Sequence, residues 1–378
     1  MTDRSRDRRI SPINQQMPRI SVIVPVYNGG EPFRRCLAAL AQAAPRPRAV
    51  VVVADGDTDG SRQVAAEFGA RVITRCIAGG PAVARNVGAR AVRGDDILLF
   101  LDADVAIKPG TLAKAASTFE DDPSVDAVIG SYDDAPPAAN FHSQFKNLFH
   151  HYTHQTAREE ASTFWAACGA IKHEVFRKMG GFDERYRYPS IEDIELGYRL
   201  TRAGHRIRLS KTLQVTHLKR WRLGSMLKAD FFYRALPWTE LIHRDRRMAN
   251  DLNLAYSGRL SVLLVYALLI TSMMAVWRPH VIGVAGGAAL GLLALNASVY
   301  RFFFRKRGFW FTLQTIPWHW FYYFYSGLAF AIGTARHFIM QTFRSFPAER
   351  QTSAGHHSIA SSTAGHPPTE RKGEPFTL

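Results

Sequence analysis

Four short apolar runs alternate with stretches of helical spacing in the first hundred residues, and this alternation constrains the fold more than any other feature. The runs are residues 20–26 (ISVIVPV), 49–54 (AVVVVA), 71–74 (RVIT) and 96–101 (DILLFL), all of strand length and mostly β-branched or leucine. Between them, residues 32–44, 61–68 and 81–91 read as helices, and in the first of these Phe33, Cys36, Leu37 and Leu40 recur at helical intervals. Strand, helix, strand in this order predicts an α/β fold with a mainly parallel sheet covered by helices on both faces, and ligands at the carboxyl ends of the strands. Acidic residues sit at those ends: Asp55, Asp57 and Asp59 after the second run, Asp102 and Asp104 after the fourth.

The last third of the chain has a different chemistry. Residues 260–277 and 281–300 carry no charge, and each is long enough to cross a hydrocarbon core of about 30 Å. A third stretch, residues 309–335, is aromatic and is interrupted by Pro317 and His319, which predicts an interfacial entry and a span over about 318–335. Lys and Arg number 48 against 32 Asp and Glu, a net charge of +16 that fits either nucleic acid or an anionic membrane surface with phosphate-bearing ligands. The apolar stretches decide for anionic membrane lipids, and nucleic acid is excluded because the basic residues cluster beside them and form no separable face.

Orientation follows from the positive charges. Residue Arg278 is the one Lys or Arg in the first connector, whereas Arg301, Arg305, Lys306 and Arg307 follow the second stretch, so the soluble part is expected on the cytoplasmic side of an inner or plasma membrane, in a multi-pass chain. No apolar segment of signal-peptide kind follows the basic start. Three scattered cysteines, Cys36, Cys76 and Cys168, make no disulfide framework and read as packed thiols.

Two carboxylates one residue apart, Asp102 and Asp104, directly follow a strand and call for a cation, and hard oxygen ligands with room for phosphate suit Mg²⁺ or Mn²⁺. A solvated acidic turn capping the next helix is the alternative. The surroundings favour the cation. Pro25-Val26-Tyr27-Asn28 closes the first strand, residues 54–61 (ADGDTDGS) the second, and residues 79–88 (GGPAVARNVG) open the third helix. With residues 180–184 (GGFDE), 191–193 (IED) and 217–221 (HLKRW) following in order, residues 18–225 resemble the inverting GT-A glycosyltransferases of family 2.

The resemblance implies a GT-A nucleotide-sugar-binding, Rossmann-like domain over residues 18–218. A basic disordered N-terminus (1–17) would precede it, and amphipathic interfacial helices (219–252), a C-terminal transmembrane domain (253–338) and a disordered tail (350–378) would follow. It implies that Pro25 and Tyr27 border the nucleobase, Asp55 bonds the base, Asp102 lies near the ribose, Asp104 ligates the metal and Arg85 faces the base or the diphosphate. Ala54 stands where the family usually has a second acidic residue. The donor implied is a UDP- or GDP-linked sugar, and the acceptor a lipid or lipid-linked molecule.

Glu192 and Asp193 begin a helical stretch in which Ile191, Ile194 and Tyr198 keep one face, so both carboxylates lie in its first turn, where the helix terminus stabilises anions. The resemblance makes this pair catalytic, with Asp193 as general base. Arg220 and Trp221 occupy the family's Arg-Trp positions, where they would contact acceptor or diphosphate, or equally anchor the interface. Residues 141–156 carry His150 and His154 four apart, which reads as an aromatic acceptor-groove helix ahead of a zinc pair. Cys168-Gly169 reads as close packing. A processive polysaccharide synthase and a noncatalytic nucleotide- or lipid-binding subunit are the alternatives to a single-transfer enzyme.

Overall fold

The computed structural model describes residues 19–94, 97–246 and 255–344. The expected basic start (1–17), the tail (350–378) and the end of the 219–252 segment lie outside them.

Strands β1 (Ile20–Val26), β2 (Ala49–Asp55), β3 (Arg71–Arg75) and β4 (Ile97–Leu101) are separated by helices α1 (Gly30–Ala41), α2 (Ser61–Glu67) and α3 (Pro81–Ala91). They pair in parallel in the order β3-β2-β1-β4. Successive side chains leave a strand on opposite faces. Val22, Val24 and Val26 therefore meet Phe33, Cys36, Leu37 and Leu40 of α1, while Ile23, Val51 and Val53 meet Ala82, Ala84 and Ala89 of α3. Both faces being covered explains why these strands read as unbroken apolar runs.

The remaining half of the sheet runs β5 (Val105–Ala106), α4 (Thr111–Asp121), β6 (Ala127–Tyr132), α5 (Phe141–Thr156), β7 (Glu160–Ala161), β8 (Cys168–Lys172), α6 (His173–Lys178), α7 (Glu192–Arg202) and β9 (Ile207–His217). Strand β8 enters antiparallel between β4 and β6, opposite Leu101 at Cys168, so the sheet is mixed beyond β4. Strand β9 runs parallel to β6 with a register shift between Ile129 and Ser131, then pairs antiparallel with β5 at Val105 and His217. That last pairing carries His217 to the end of β4.

After the sheet come α8 (Leu223–Lys228), a π-helical stretch (Ala229–Ala235) and α9 (Leu236–Asp245). Within the 219–252 segment expected to lie on the lipid surface, Trp238, Leu241 and Ile242 of α9 pack on Ile191 and Tyr198, and Trp238 Nε1 donates to the Tyr198 hydroxyl at 3.1 Å.

Three further helices follow: α10 (Tyr256–Met274), α11 (Ile282–Leu295) and α12 (Ala297–Arg344). Among the described residues α10 is the one helix long and apolar enough to cross a membrane by itself; Pro279–Leu295 and Ala297–Thr342 pass that test together, bent by 60°. Against the three separate spans expected over 260–277, 281–300 and 318–335, the described residues offer one such helix and one bent pair. The second stretch breaks at Asn296, whose Nδ2 donates to the Ser261 hydroxyl while its Oδ1 accepts from the Tyr323 hydroxyl. The third lies inside α12, which kinks at Gly308 and contains Pro317. Among the described residues, 338–344 belong to a separate unit, in which the Thr342 hydroxyl donates to the Phe338 carbonyl. Upstream, Phe145 and Leu148 of α5 pack against Val299, Tyr300 and Phe303 of α12.

Candidate active site

The carboxyl ends of β1 and β2 are stitched together by their own loops. Asn28 Oδ1 accepts from the Thr58 amide at 2.8 Å, Asp59 Oδ2 from the Gly30 amide at 3.0 Å, and the Ser61 hydroxyl from the Gly29 amide at 3.0 Å. Beside them Pro25 is half-buried and Tyr27 is exposed, an open ring at the rim of the crevice. Ala54, at the family's acidic position, is buried in the core under β2.

Asp55, expected to bond the base, has backbone and guanidinium partners at the end of β2. Its Oδ2 accepts from the Gly79 and Gly80 amides at 2.9 and 2.8 Å, and Arg75 Nη1 lies 3.0 Å from Oδ1. The carboxylate therefore holds the loop before α3. Gly80 there has φ +91°, and a Cβ on it would stand 2.1 Å from the Arg187 carbonyl, so this loop touches the segment leading to α7 only because the residue is glycine.

Arg85, expected to face the base or the diphosphate, has carboxylate partners of its own. It is buried, and its two terminal nitrogens donate to Glu192 Oε1 and Asp102 Oδ1, each at 2.7 Å. Glu192 Oε2 accepts from the Ser190 amide at 2.9 Å, which completes a rail from β4 through α3 to α7. Burial raises the Asp102 carboxyl, with Arg85 opposing and Asp104 adding to the shift. Arg85 thus fixes the two acidic motifs relative to one another.

Asp104 meets the end of β9. His217 Nε2 lies 3.6 Å and Lys219 Nζ 3.9 Å from Asp104 Oδ2, and although burial pushes this carboxyl up, His217 and Lys219 outweigh it and bring it down to about 2. The other ring nitrogen of His217, Nδ1, is 2.6 Å from Asn147 Oδ1, a contact that orients the ring so that Nε2 faces Asp104. Among the described residues no three His, Cys, Asp or Glu side chains group to enclose a metal. Asp104 and His217 do fit a divalent cation that takes its remaining ligands from water and phosphate oxygens. Sequence reasoning offered Asp104 alone, because the β5–β9 pairing that delivers His217 leaves no local signal.

Asp193 occupies the first turn of α7. Its Oδ2 accepts from the Ala166 amide at 3.1 Å and its Oδ1 from the Ile194 amide at 2.8 Å. Burial and the neighbouring Glu192 charge push this carboxyl up to about 7, against the pull of Arg85. It is a half-buried carboxylate held by two backbone donors and set to exchange protons near neutrality.

Trp221 is buried, its amide donating to the Ser143 hydroxyl at 2.8 Å and its carbonyl accepting from Asn140 Nδ2 at 2.8 Å, while Lys219 Nζ sits 4.5 Å from its ring centre. Arg220 is exposed beside it. The histidines of α5 are in an aromatic column: His217 stacks on Tyr132 at 4.3 Å, Tyr132 lies 4.6 Å from His150, and His150 lies 4.1 Å from His154. Burial drives His150 well below the usual histidine range and His154 to about 4, so both are neutral aromatic packing groups. Cys36 and Cys168 are buried as expected, whereas Cys76 is exposed at the end of β3, where a short edge strand gives it no cover.

The comparisons bear on this geometry directly. A family model described as Glycosyl transferase family 2 matches residues 21–180. These residues are a family 2 glycosyl transferase domain. A pre-mycofactocin glycosyltransferase of Mycobacterium tuberculosis is 29% identical over 223 residues, covering 57% of this chain and 46% of the relative. An N-acetylglucosaminyl-diphospho-decaprenol L-rhamnosyltransferase of the same species is 27% identical over 221 residues, covering 49% and 71%. The chain thus spans about half the length of the first curated relatives it matches. Among solved structures, the mannosyltransferase PcManGT from Pyrobaculum calidifontis, in complex with GDP-Man and Mn²⁺, superposes with a TM-score of 0.53 at 16% identity, covering 84% of this chain and 87% of that one. The GT-A fold of the family 2 domain rests on that likeness and on the sheet order.

Proposed function

We propose that this chain is an inverting glycosyltransferase that moves a sugar from a nucleotide-sugar donor to a hydroxyl of a lipid-linked acceptor at the cytoplasmic membrane face. The observation that carries the reading is Asp193, a carboxylate held by two amides and pushed up to about 7 in the domain that also presents Asp102 and Asp104. Pro25 and Tyr27 border the nucleobase, the open side of Asp102 meets the ribose, and Arg220 lies by the diphosphate. Asp104 and His217 would hold a divalent cation, which when bound supplies positive charge to the departing diphosphate. Asp193 takes the proton of the acceptor hydroxyl as its oxygen bonds to the anomeric carbon. The bond from that carbon to the diphosphate oxygen breaks on the opposite face, the nucleoside diphosphate leaves with the electron pair, and configuration inverts. Glu192, engaged by Arg85 and Ser190, is a positioning residue for Asp193.

Support for the donor comes from the family and from a solved neighbour bound to GDP-Man; support for a lipid-linked acceptor comes from the relative named for a diphospho-decaprenol substrate and from α10. The test incubates membranes containing the chain with a panel of labelled UDP and GDP sugars and analyses the lipid extract by mass spectrometry. A glycosylated lipid absent with Asp193→Asn is the expected result, and no donor-dependent lipid product from any sugar would overturn it. Ala54 and the occupied Asp55 favour a second reading, a subunit that binds nucleotide without turnover. It predicts saturable nucleotide binding with donor left intact.

A further inference from the structure

A cavity of about 380 Å³ opens between the family 2 domain and the C-terminal helices, and its lining is of two chemistries. Val262 and Leu263 of α10 with Tyr322 and Phe330 of α12 supply apolar lining, with Arg259 at the start of α10 beside them; Lys146 of α5 with Asp230 and Arg234 of the π-helical stretch supply a charged cluster. Lys146 is ion-paired to Asp230, the Tyr325 hydroxyl donates to Asp230 at 3.0 Å, and Arg234 Nη1 lies 3.8 Å from the same carboxylate. One carboxylate, already hydrogen-bonded by a tyrosine, faces two cations, which leaves positive charge at the end of an apolar chamber. His150 also lines the cavity, as a neutral ring whose Nδ1 is buried with no partner among the described residues.

The charged end reaches the reaction centre through packed rings: His150, in the cavity wall, lies 4.6 Å from Tyr132, which stacks on His217 at 4.3 Å. The apolar end belongs to α10, the candidate membrane helix, where Leu263 is exposed.

We propose that this cavity is the acceptor site and that its occupant is a long-chain lipid carrying a phosphate or diphosphate: the chain lies along α10 and α12, and the anion lies at Arg234 and Lys146. The assignment rests on the glycosyl-transfer reading and deepens it, since a sugar attached to that diphosphate brings its hydroxyl toward Asp193. Charge complementarity chooses the anion and the apolar wall chooses the chain, so neither a free sugar nor a neutral lipid satisfies both sides.

The test measures equilibrium binding of radiolabelled farnesyl diphosphate to the full chain in neutral detergent micelles, with no sugar donor present. Farnesol and inorganic pyrophosphate serve as competitors. Saturable binding is expected, with each competitor at least about tenfold weaker, and Arg234→Gln should weaken binding about tenfold, the worth of one charge-assisted hydrogen bond. Ala235→Trp, which fills the chamber, and Leu263→Trp, altered at an exposed position, should each reduce binding while nucleotide binding is retained. Pyrophosphate binding as tightly as farnesyl diphosphate would reduce the site to a free-phosphate site and overturn the proposal. Farnesol binding as tightly would do the same by removing the anion. Affinity unchanged in all three variants would place the lipid elsewhere. Lipid binding with no turnover of any donor sinks the transfer reading and leaves this site standing; transfer to a soluble sugar without lipid binding does the reverse.

Discussion

At the scale of single residues, Arg85 and Asp193 divide the work of the site between holding and proton transfer. Glu192 and Asp102 come from segments far apart in sequence, and both lean on a guanidinium that is itself buried. Removing one member of such a group leaves the others charged and unpaired, at a cost of about 3–5 kcal/mol. Arg85→Met should lower the unfolding free energy by that amount in chemical denaturation, whereas Glu192→Gln, which keeps a hydrogen-bond acceptor, should cost less. The proton-transfer half is read by pH. Because Asp193 acts only when deprotonated and is raised to about 7, transfer should climb about tenfold per pH unit below 7 and level off above it. Glu192 is one of the charges that raise Asp193, so Glu192→Gln should move the acid limb to lower pH. A limb that stays in place would make Glu192 electrically silent. Asp193→Asn should cost about 10²–10⁴-fold in transfer rate with donor binding kept, checked by single-turnover assay against nucleotide titration.

At the scale of elements, the approach of α7 to the segment before β8 sets where Asp193 sits. Gly197 of α7 lies so close to the 163–164 backbone that a Cβ would stand 2.2 Å from the Phe164 amide nitrogen and 2.5 Å from the Thr163 carbonyl carbon. Neither is a flexible side-chain end, so Gly197→Ala must push the helix outward, at about 1–3 kcal/mol. Its melting temperature should fall, and because Ala166 shares that segment and donates to Asp193, the acid limb should shift as well. Elements whose signals are local were legible in the sequence: α3 and α5 have the bounds their spacing predicts, and β1, β2 and β4 fall within a residue or so of theirs. What sequence could not show depends on pairing across long separations. His217 reaches Asp104 through a register shift in β9 and a two-residue strand, and Glu192 reaches Arg85 across 107 positions. The same holds for α9, where hydrophobic spacing indicates an apolar stripe but not whether lipid or α7 covers it.

On the scale of the whole molecule, the basic residues after the second apolar stretch are bound to the family 2 domain. Lys306 is ion-paired to Asp134, and Arg307 donates to Gln144 Oε1 at 2.7 Å and to the Asp134 carbonyl at 3.0 Å. The domain and this cationic cluster therefore belong to one side of any bilayer that α10 crosses, and the positive-inside rule predicts that side to be the cytoplasmic one. The connector at Arg278-Pro279-His280 lies at the far end of the α10 and α11 pair. Helix α10, with 19 residues, spans about 28 Å, close to a hydrocarbon core, while the 14 residues of α11 span only about 21 Å. A full crossing by the return arm thus draws on residues 279–281 and on local thinning of the bilayer. The prediction is that the hairpin tip reaches the outer face. With Cys76 replaced, since it is the exposed native thiol, and with Cys36 and Cys168 replaced as well, Pro279→Cys should react with an impermeant thiol reagent on intact cells. Reaction at Pro279→Cys only after lysis would make the pair a re-entrant loop, ending inside the bilayer on the side of the family 2 domain. The two outcomes also separate by insertion energy: an arginine at Leu269, exposed on α10, costs about 2.5–3.5 kcal/mol in a true span. Leu269→Arg should then release the chain into the alkaline-extractable fraction, and full retention would place that side chain outside the hydrocarbon.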